Sequence, residues 1–457
     1  MKKSIGVIFV CSLFAGQVHA ESLLEIYDLA LENDYSFKSA QSALLASQET
    51  TLIAKSLLMP KVNIEGSWQY SKSRTDIESS NPFAVKNELV QERQGPGLSI
   101  SLTQPILDIS ALHQYERGKL TEKIAVLQFE NAKNSLLMRT ANAYLQTLKA
   151  GSKLTATQAA EDAYRAQLQS ANVKFNIGLA RHSDVLEAQA RLDAAVADTI
   201  IAKNNLSTWF DLVQVLTGKT HTEFATLSAN FNAKLPDPMD SKKWAEAAST
   251  NNIKINLGKL TAQQFYENSR SKATEYLPKV TGSLSFSGSE DDRRFNNAAP
   301  DDLLNQGLTA SVRLTVPLYS GGNISASARE ANYLYLESLD KSKNNVREVA
   351  QEVHSSYLSV IANVAAVKAR KAAIASSESA LVYAKKGYEQ GVRSIIDVLN
   401  AQNDLYQATQ SYAEIVYDYL ISGLKLKESS GLLSRKDIED LNAQLDQANS
   451  VYSPALN

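Results

Sequence analysis

LLMPKVNIEGSWQY, Leu57 to Tyr70, changes character at its proline. After Pro60, apolar or small residues fall on Val62, Ile64, Gly66, Trp68 and Tyr70, while Asn63, Glu65, Ser67, Gln69 and Ser71 take the alternate positions. A period of two puts the first set on one face of a β-strand and the second on the other. The alternation recurs as Leu98, Ile100 and Leu102 against Ser99, Ser101 and Thr103, and as Val280, Leu284 and Phe286 against Thr281, Ser283 and Ser285. It recurs again as Leu308, Ala310, Val312, Leu314 and Val316 against Thr309, Ser311, Arg313 and Thr315. A soluble half-buried sheet accounts for any one of these strands. Four of them, each with a second face built almost wholly of hydroxyl and amide side chains, fit the dyad pattern of a transmembrane β-barrel with a wet lumen. The polar stretches Lys72 to Pro96 and Gly288 to Gln306 are predicted as loops outside the cell.

Four strands cannot close a barrel, since about eight are needed and a barrel of that size is filled by its own side chains. Several chains must contribute. Two copies give a plugged cylinder, whereas three give twelve strands and a real opening, so the expectation is a homotrimer.

Working outward, the chain is read as two internal structural repeats. Pro60-Lys61-Val62 returns as Pro278-Lys279-Val280, and GLSISLTQPILDIS (Gly97 to Ser110) returns as GLTASVRLTVPLYS (Gly307 to Ser320). FNIGLARHSDVLEAQARL (Phe175 to Leu192) returns as YEQGVRSIIDVLNAQNDL (Tyr388 to Leu405). The predicted organisation is a signal peptide over 1–20, a first repeat over 21–217, a linker over 218–240, a second repeat over 241–427 and a tail over 428–457. Each repeat runs helix, two strands and a helical hairpin. Residues before proline leave the helical region, so Pro60 and Pro278 end a helix and open a strand, and Pro105 and Pro317 sit at strand ends.

The helices are alanine-rich. Val185, Leu192, Thr199 and Leu206 recur every seven residues with Ala188, Ala195 and Ala202 between them, and Val398, Leu405, Tyr412 and Tyr419 do so with Ala401, Ala408 and Ile415. That is a coiled-coil seam with small residues allowing close approach. If mostly helical, Pro105 to Gly178 spans roughly 100 Å at 1.5 Å per residue, far more than a bilayer, so the rod projects into an aqueous compartment. Gly178 and Gly391 mark the far turns, with helices restarting at Ser183-Asp184 and Ile396-Asp397, where an acidic or hydroxyl residue suits a helix start.

Lys2 and Lys3, the apolar run Ile5 to Ala15 and Val18-His19-Ala20 read as a secretory signal. The single cysteine, Cys11, lies in that run without a lipoprotein context, so the mature chain carries no thiol chemistry. No other stretch approaches the ~20 apolar residues of a membrane helix, which leaves a barrel as the means of spanning. With 44% hydrophobic and 21% charged residues and a net charge of −2, neither a nucleic-acid partner nor wholesale disorder is expected.

Together these residues resemble the TolC-like outer membrane efflux family over essentially the whole mature chain, most closely from Ala384 to Leu433, with FNIGLARHSDV as the matching first tip. The resemblance implies a twelve-stranded trimeric barrel continuing into a long periplasmic α-helical tunnel. It further implies export of drugs or type I secreted proteins with an inner-membrane transporter (RND, ABC or MFS type) and a periplasmic adaptor, a membrane fusion protein, in a Gram-negative outer membrane. Six tips then form the tunnel mouth. By motif position, Ser183 and Asp184 with Tyr388 and Arg393 match a gate latch. Asp397 matches an acidic ring lining the pore, and Gly178-Leu179 with Gly391-Val392 match the adaptor docking points. Plain helix capping by Asp184 and Asp397, and a solvated Arg393, is the alternative. The family's second acidic position is Asn400 here, so either the lining is less acidic or Glu187 replaces that charge.

An enzyme is the rival class. His19, His113, His182, His221 and His354 form no metal-binding pair, and His182-Ser183-Asp184, adjacent in sequence, is not how a triad is assembled. No catalytic residue, metal or cofactor is expected. A periplasmic coiled-coil adaptor lacking a barrel is the second alternative, and the four strands separate the two. Nothing in the sequence assigns the cargo, the pump class, the linker or the tail.

Overall fold

The structure is a computed structural model that describes residues 20–77, 87–228, 231–296, 299 and 301–454. The expected signal peptide, apart from Ala20, lies outside the described residues. In order the chain forms α1 Leu23–Asn33, α2 Tyr35–Ser56, β1 Lys61–Ile77, β2 Asn87–Leu107, α3 Ile109–Asn176, α4 His182–Thr217, β3 Glu223–Leu227, α5 Ser241–Asn251 and α6 Ile253–Ala273. A 3-10 turn, Thr274–Tyr276, leads to β4 Lys279–Phe295, β5 Asp301–Thr315, α7 Asn323–Glu389, α8 Ile395–Ser429, α9 Arg435–Asn442 and β6 Leu445–Tyr452. Among the described residues no helix is long and apolar enough to cross a membrane.

Two compact units arise, and both draw on each half of the sequence. The described residues within 41–129 and 254–345 make one, and those within 20–40, 130–253 and 346–454 make the other.

In the first unit four antiparallel strands lie in the order β1-β2-β4-β5. The register aligns the apolar positions across all four: Ile64 faces Ile100, Ile100 faces Phe286 and Phe286 faces Leu308. The next row is Val62, Leu102, Leu284 and Ala310. Between these rows run Asn63, Ser101, Ser285 and Thr309, whose side chains take the other face because the pleat alternates. On that polar face Ser283 and Ser311 share a hydrogen bond of 2.8 Å. On the apolar face Ile64 is 70% exposed, Trp68 73% and Leu308 71%. A water-facing sheet would not leave so continuous an apolar face uncovered.

The strands run beyond the alternating stretches. Lys72 to Pro96 and Gly288 to Gln306 were expected as loops, yet β1 continues to Ile77, β2 begins at Asn87, β4 continues to Phe295 and β5 begins at Asp301. The ladder needs only backbone groups, and its polar extension is tied by cross-strand charge: Lys72 to Glu92 at 2.6 Å, and Arg93 to Asp291. Asp291 also accepts from Ser289 and Asn305, each at 3.2 Å. The tip of the first loop, 78–86, lies outside the described residues.

The prolines act as expected at the entries. α2 ends at Ser56 and the 3-10 turn at Tyr276, and the strands open one residue after Pro60 and Pro278. At the exit, Pro105 stays within β2 where the register slips between Pro105 and Leu107, a place where the missing N–H breaks no regular ladder.

The second unit has its core where α1, α3, α4, α8 and α9 surround β3. The linker and tail, whose role the sequence left open, meet here: β3 pairs antiparallel with β6, and Glu21 bridges to Phe224. Phe224 is fully buried, stacked on Phe210 with ring centroids 4.7 Å apart and tilted against Tyr144 at 5.1 Å. The Tyr144 hydroxyl donates to the carbonyls of Ala225 (2.8 Å) and Glu21 (3.1 Å). Burial, above all, pushes its phenol far above the usual range, so it stays protonated and remains a donor.

α3 has 68 residues and α7 has 67, each about 100 Å long at 1.5 Å per residue. Along α4 the alanine seam is buried, at Ala188, Ala195 and Ala202, followed by Leu206. In α8, Val398 and Ala408 are buried on the corresponding stripe.

Candidate functional site

Each long helix ends at a glycine turn for a local reason. Gly178 has φ 76° and Gly391 φ 73°, left-handed values that cost a residue with a Cβ. Gly178 N–H donates to the Phe175 carbonyl at 2.9 Å and Leu179 N–H to Lys174 at 2.7 Å. Gly391 N–H donates to Tyr388 at 3.0 Å and Val392 N–H to Gly387 at 2.9 Å. These are two Schellman motifs, satisfying carbonyls that the helix ends would otherwise leave open. The turns leave Ile177 at 63%, Leu179 at 75% and Val392 at 76% exposure. Apolar side chains are thus offered to water at both tips.

The following helices start one residue earlier than Ser183 and Ile396, at His182 and Ile395. Asp397 lies at the third position of α8, and its Oδ2 accepts from both the N–H and the hydroxyl of Ser394, each at 2.9 Å. Ser394 Oγ in turn accepts from Asp397 N–H at 3.2 Å, completing a capping box. Those two bonds, helped by the nearby Arg393 charge, hold the Asp397 carboxyl below the usual carboxylate range. At α4 only half of the box forms: Asp184 Oδ2 accepts from Arg181 N–H at 3.2 Å, and an arginine side chain has no acceptor to return. Ser183 donates its hydroxyl to Asp184 Oδ1 at 3.4 Å.

The four expected latch residues therefore do not all meet within one protomer. Among the described residues no hydrogen bond or ion pair joins Tyr388 or Arg393 to Asp184. Tyr388 instead has the Lys174 ammonium 4.3 Å from its ring centroid. Arg393 lays its stem over Gly387, where an added Cβ would come within 3.0 Å of the Arg393 Cγ. Beneath the tips, Tyr164, Ala195, Leu381, Ala384, Ile395, Val398 and Leu399 pack into a small core from α3, α4, α7 and α8.

One residue passed unnoticed in the sequence. Arg191 lies one turn past Glu187 on α4, with its Nε 3.4 Å from Glu187 Oε1, and its Nη2 donates to Asn400 Oδ1 on α8 at 3.0 Å. Both members of the open question, Glu187 and Asn400, are on the same guanidinium. The i, i+4 spacing of Glu187 and Arg191 was a readable signal. The contact with Asn400, 209 positions away, was not.

A family model described as outer membrane efflux protein matches residues 26–218 and 244–432. The chain is 26% identical to the outer membrane protein TolC of Vibrio cholerae serotype O1, over 98% of this chain and 100% of that one. It is 27% identical to the alkaline protease secretion protein AprF of Pseudomonas aeruginosa, over 92% and 86%. Among solved structures, the crystal structure of the outer membrane protein VceC from Vibrio cholerae superposes with a TM-score of 0.74 at 16% identity, covering 90% of this chain and 96% of that one. That likeness is one of fold.

Proposed function

The chain belongs to the outer membrane efflux protein family, and from that premise we propose that it is the exit duct by which a Gram-negative cell passes drugs or type I secreted proteins through its outer membrane. The observation that carries this reading is the sheet. One face is exposed and apolar through four registered strands, and the other is lined with serine, threonine and asparagine. Lipid suits the first face and a water-filled passage the second. The strands also count against a periplasmic adaptor without a barrel.

β1 and β5 are the edges of this sheet. An open edge in hydrocarbon leaves backbone donors and acceptors unsatisfied at several kcal/mol each. Each edge must meet a strand of another copy, and three copies make twelve strands around a lumen. Light scattering on the detergent-solubilised protein is expected to return a trimer. A monomer or dimer in every detergent would overturn the barrel.

The tips supply the gate and the docking points of the proposed duct. The exposed Leu179 and Val392 beside Gly178 and Gly391 suit an apolar hairpin of a periplasmic adaptor, which hands on cargo from an inner-membrane transporter. Asp397 is proposed to line the pore. Asp184, whose second oxygen is held only by a 3.4 Å contact with Ser183, keeps acceptor capacity for Tyr388 or Arg393 of a neighbouring hairpin. Tyr388→Phe combined with Arg393→Ser is expected to raise single-channel conductance in planar bilayers severalfold. If conductance stays at the wild-type level in an intact trimer, these residues are not the latch.

A further inference from the structure

We propose that Arg191 masks the Glu187 charge from permeating ions, limiting the cation preference of the tip, while fastening α4 to α8. The inference rests on the channel reading above.

Three observations converge on this residue. First, Glu187 is not a free carboxylate, because Arg191 lies 3.4 Å away on the same helix. Second, the same guanidinium spans to the other hairpin and donates to Asn400 at 3.0 Å. An asparagine oxygen accepts that bond without bringing a second negative charge. Third, Arg191 lies beside a buried phenol that has no hydrogen-bond partner. Arg191 lines a cavity of about 90 Å³ together with Tyr164, Ala195 and Tyr406, and its charge acts on the buried Tyr164 phenol. Tyr164 is buried with its hydroxyl unpartnered. Burial pushes that phenol up, and Arg191 is the first cause that offsets the rise.

Of the other acidic groups near the clasp, two are held within their own helix or helix start, while Asp198 lines the same cavity as Arg191 and the Asp404 charge acts on the same Tyr164 phenol. Asp397, one turn before Asn400, is held by Ser394, and Asp193 accepts from Gln189 at 2.7 Å. Asp404, one turn past Asn400, is exposed on α8. Glu187 and Arg191 thus form a paired negative and positive charge beside Asn400. Removing Arg191 leaves the Glu187 charge uncompensated.

A charge cycle tests this with the full-length trimer in planar bilayers, reading the K⁺/Cl⁻ permeability ratio from the reversal potential in a salt gradient. Arg191→Gln uncovers Glu187, and the ratio is expected to rise roughly fivefold, the scale of one unit charge a few ångströms from an ion in a water-like dielectric. Glu187→Gln uncovers Arg191 and lowers the ratio. The double variant brings it back towards the wild-type value. Asn400→Ala leaves the two charges paired but opens the clasp, so it shifts conductance more than selectivity.

Heat-stable trimer migration on gels checks that each variant assembles. If Arg191→Gln leaves the ratio unmoved, or if the two single variants shift it in the same direction, Arg191 does not mask the Glu187 charge. Asp397→Asn serves as the control. Should Arg191 variants be silent while Asp397→Asn still alters selectivity, the channel reading stands and this inference falls. If the wild-type trimer conducts nothing in any bilayer, both fall.

Discussion

Asp397→Asn is expected to remove most of the cation preference of the proposed channel, read as a collapse of the K⁺/Cl⁻ permeability ratio in planar bilayers. In the proposed trimer, three Asp397 carboxylates brought to within 4 Å of one another would repel by about 1 kcal/mol per pair in water and about 4 kcal/mol at an effective dielectric of 20. Each is kept ionised by its own helix start, where Ser394 donates twice to it. The substitution separates charge from capping, because the asparagine oxygen still accepts from Ser394 N–H. Selectivity should therefore fall while α8 keeps its start and the trimer its heat stability. Since the folded-state carboxyl lies below its ordinary value, its contribution to stability is present above about pH 4, the unfolded value, and is lost as pH falls through the depressed one. Cation preference should likewise persist through about pH 5, above that unfolded value. If Asp397→Asn leaves the channel as cation-selective as the wild type, the charge filter lies elsewhere.

Tyr144→Ala has the second large effect, on stability. The side chain is fully buried between α1, β3 and α8, and truncating a large buried aromatic costs about 3–5 kcal/mol. Tyr144→Phe keeps the ring but leaves the carbonyls of Ala225 and Glu21 without this donor, costing about 1–3 kcal/mol. Chemical denaturation in detergent, following near-UV circular dichroism, should order the three proteins wild type, Tyr144→Phe, Tyr144→Ala. Equal midpoints for wild type and Tyr144→Ala would remove Tyr144 from the core.

The sequence displayed the strands where two solvents act on opposite faces, because alternation such as Ile64 against Glu65 records each environment residue by residue. It fell silent at Lys72 and Arg93, where strand continues through polar sequence and the pairing is between charges on neighbouring strands. The glycine tips were legible because only a left-handed residue closes that turn. The small strand β3 was not, since five residues carry little periodicity and the strand partner of Thr226 is Asp446, near the other end of the described chain. At the tip, Asp397 stood out by its motif. Arg191 became visible only when α4 and α8 came together, since a contact across 209 positions leaves no mark on spacing.

The pairing of β3 with β6 has a consequence for biogenesis. A segment near the middle of the chain, Glu223–Leu227, finds its ladder partner only in Leu445–Tyr452, near the far end of the described chain, where Val451 pairs with Phe224. Closing so long a loop costs only a little more free energy than closing a shorter one. Without that distal strand, β3 presents an unpaired edge, the kind of feature that invites non-native pairing. A chain that stops short of Leu445 therefore leaves β3 without its ladder partner and Phe224 without the strand paired to it.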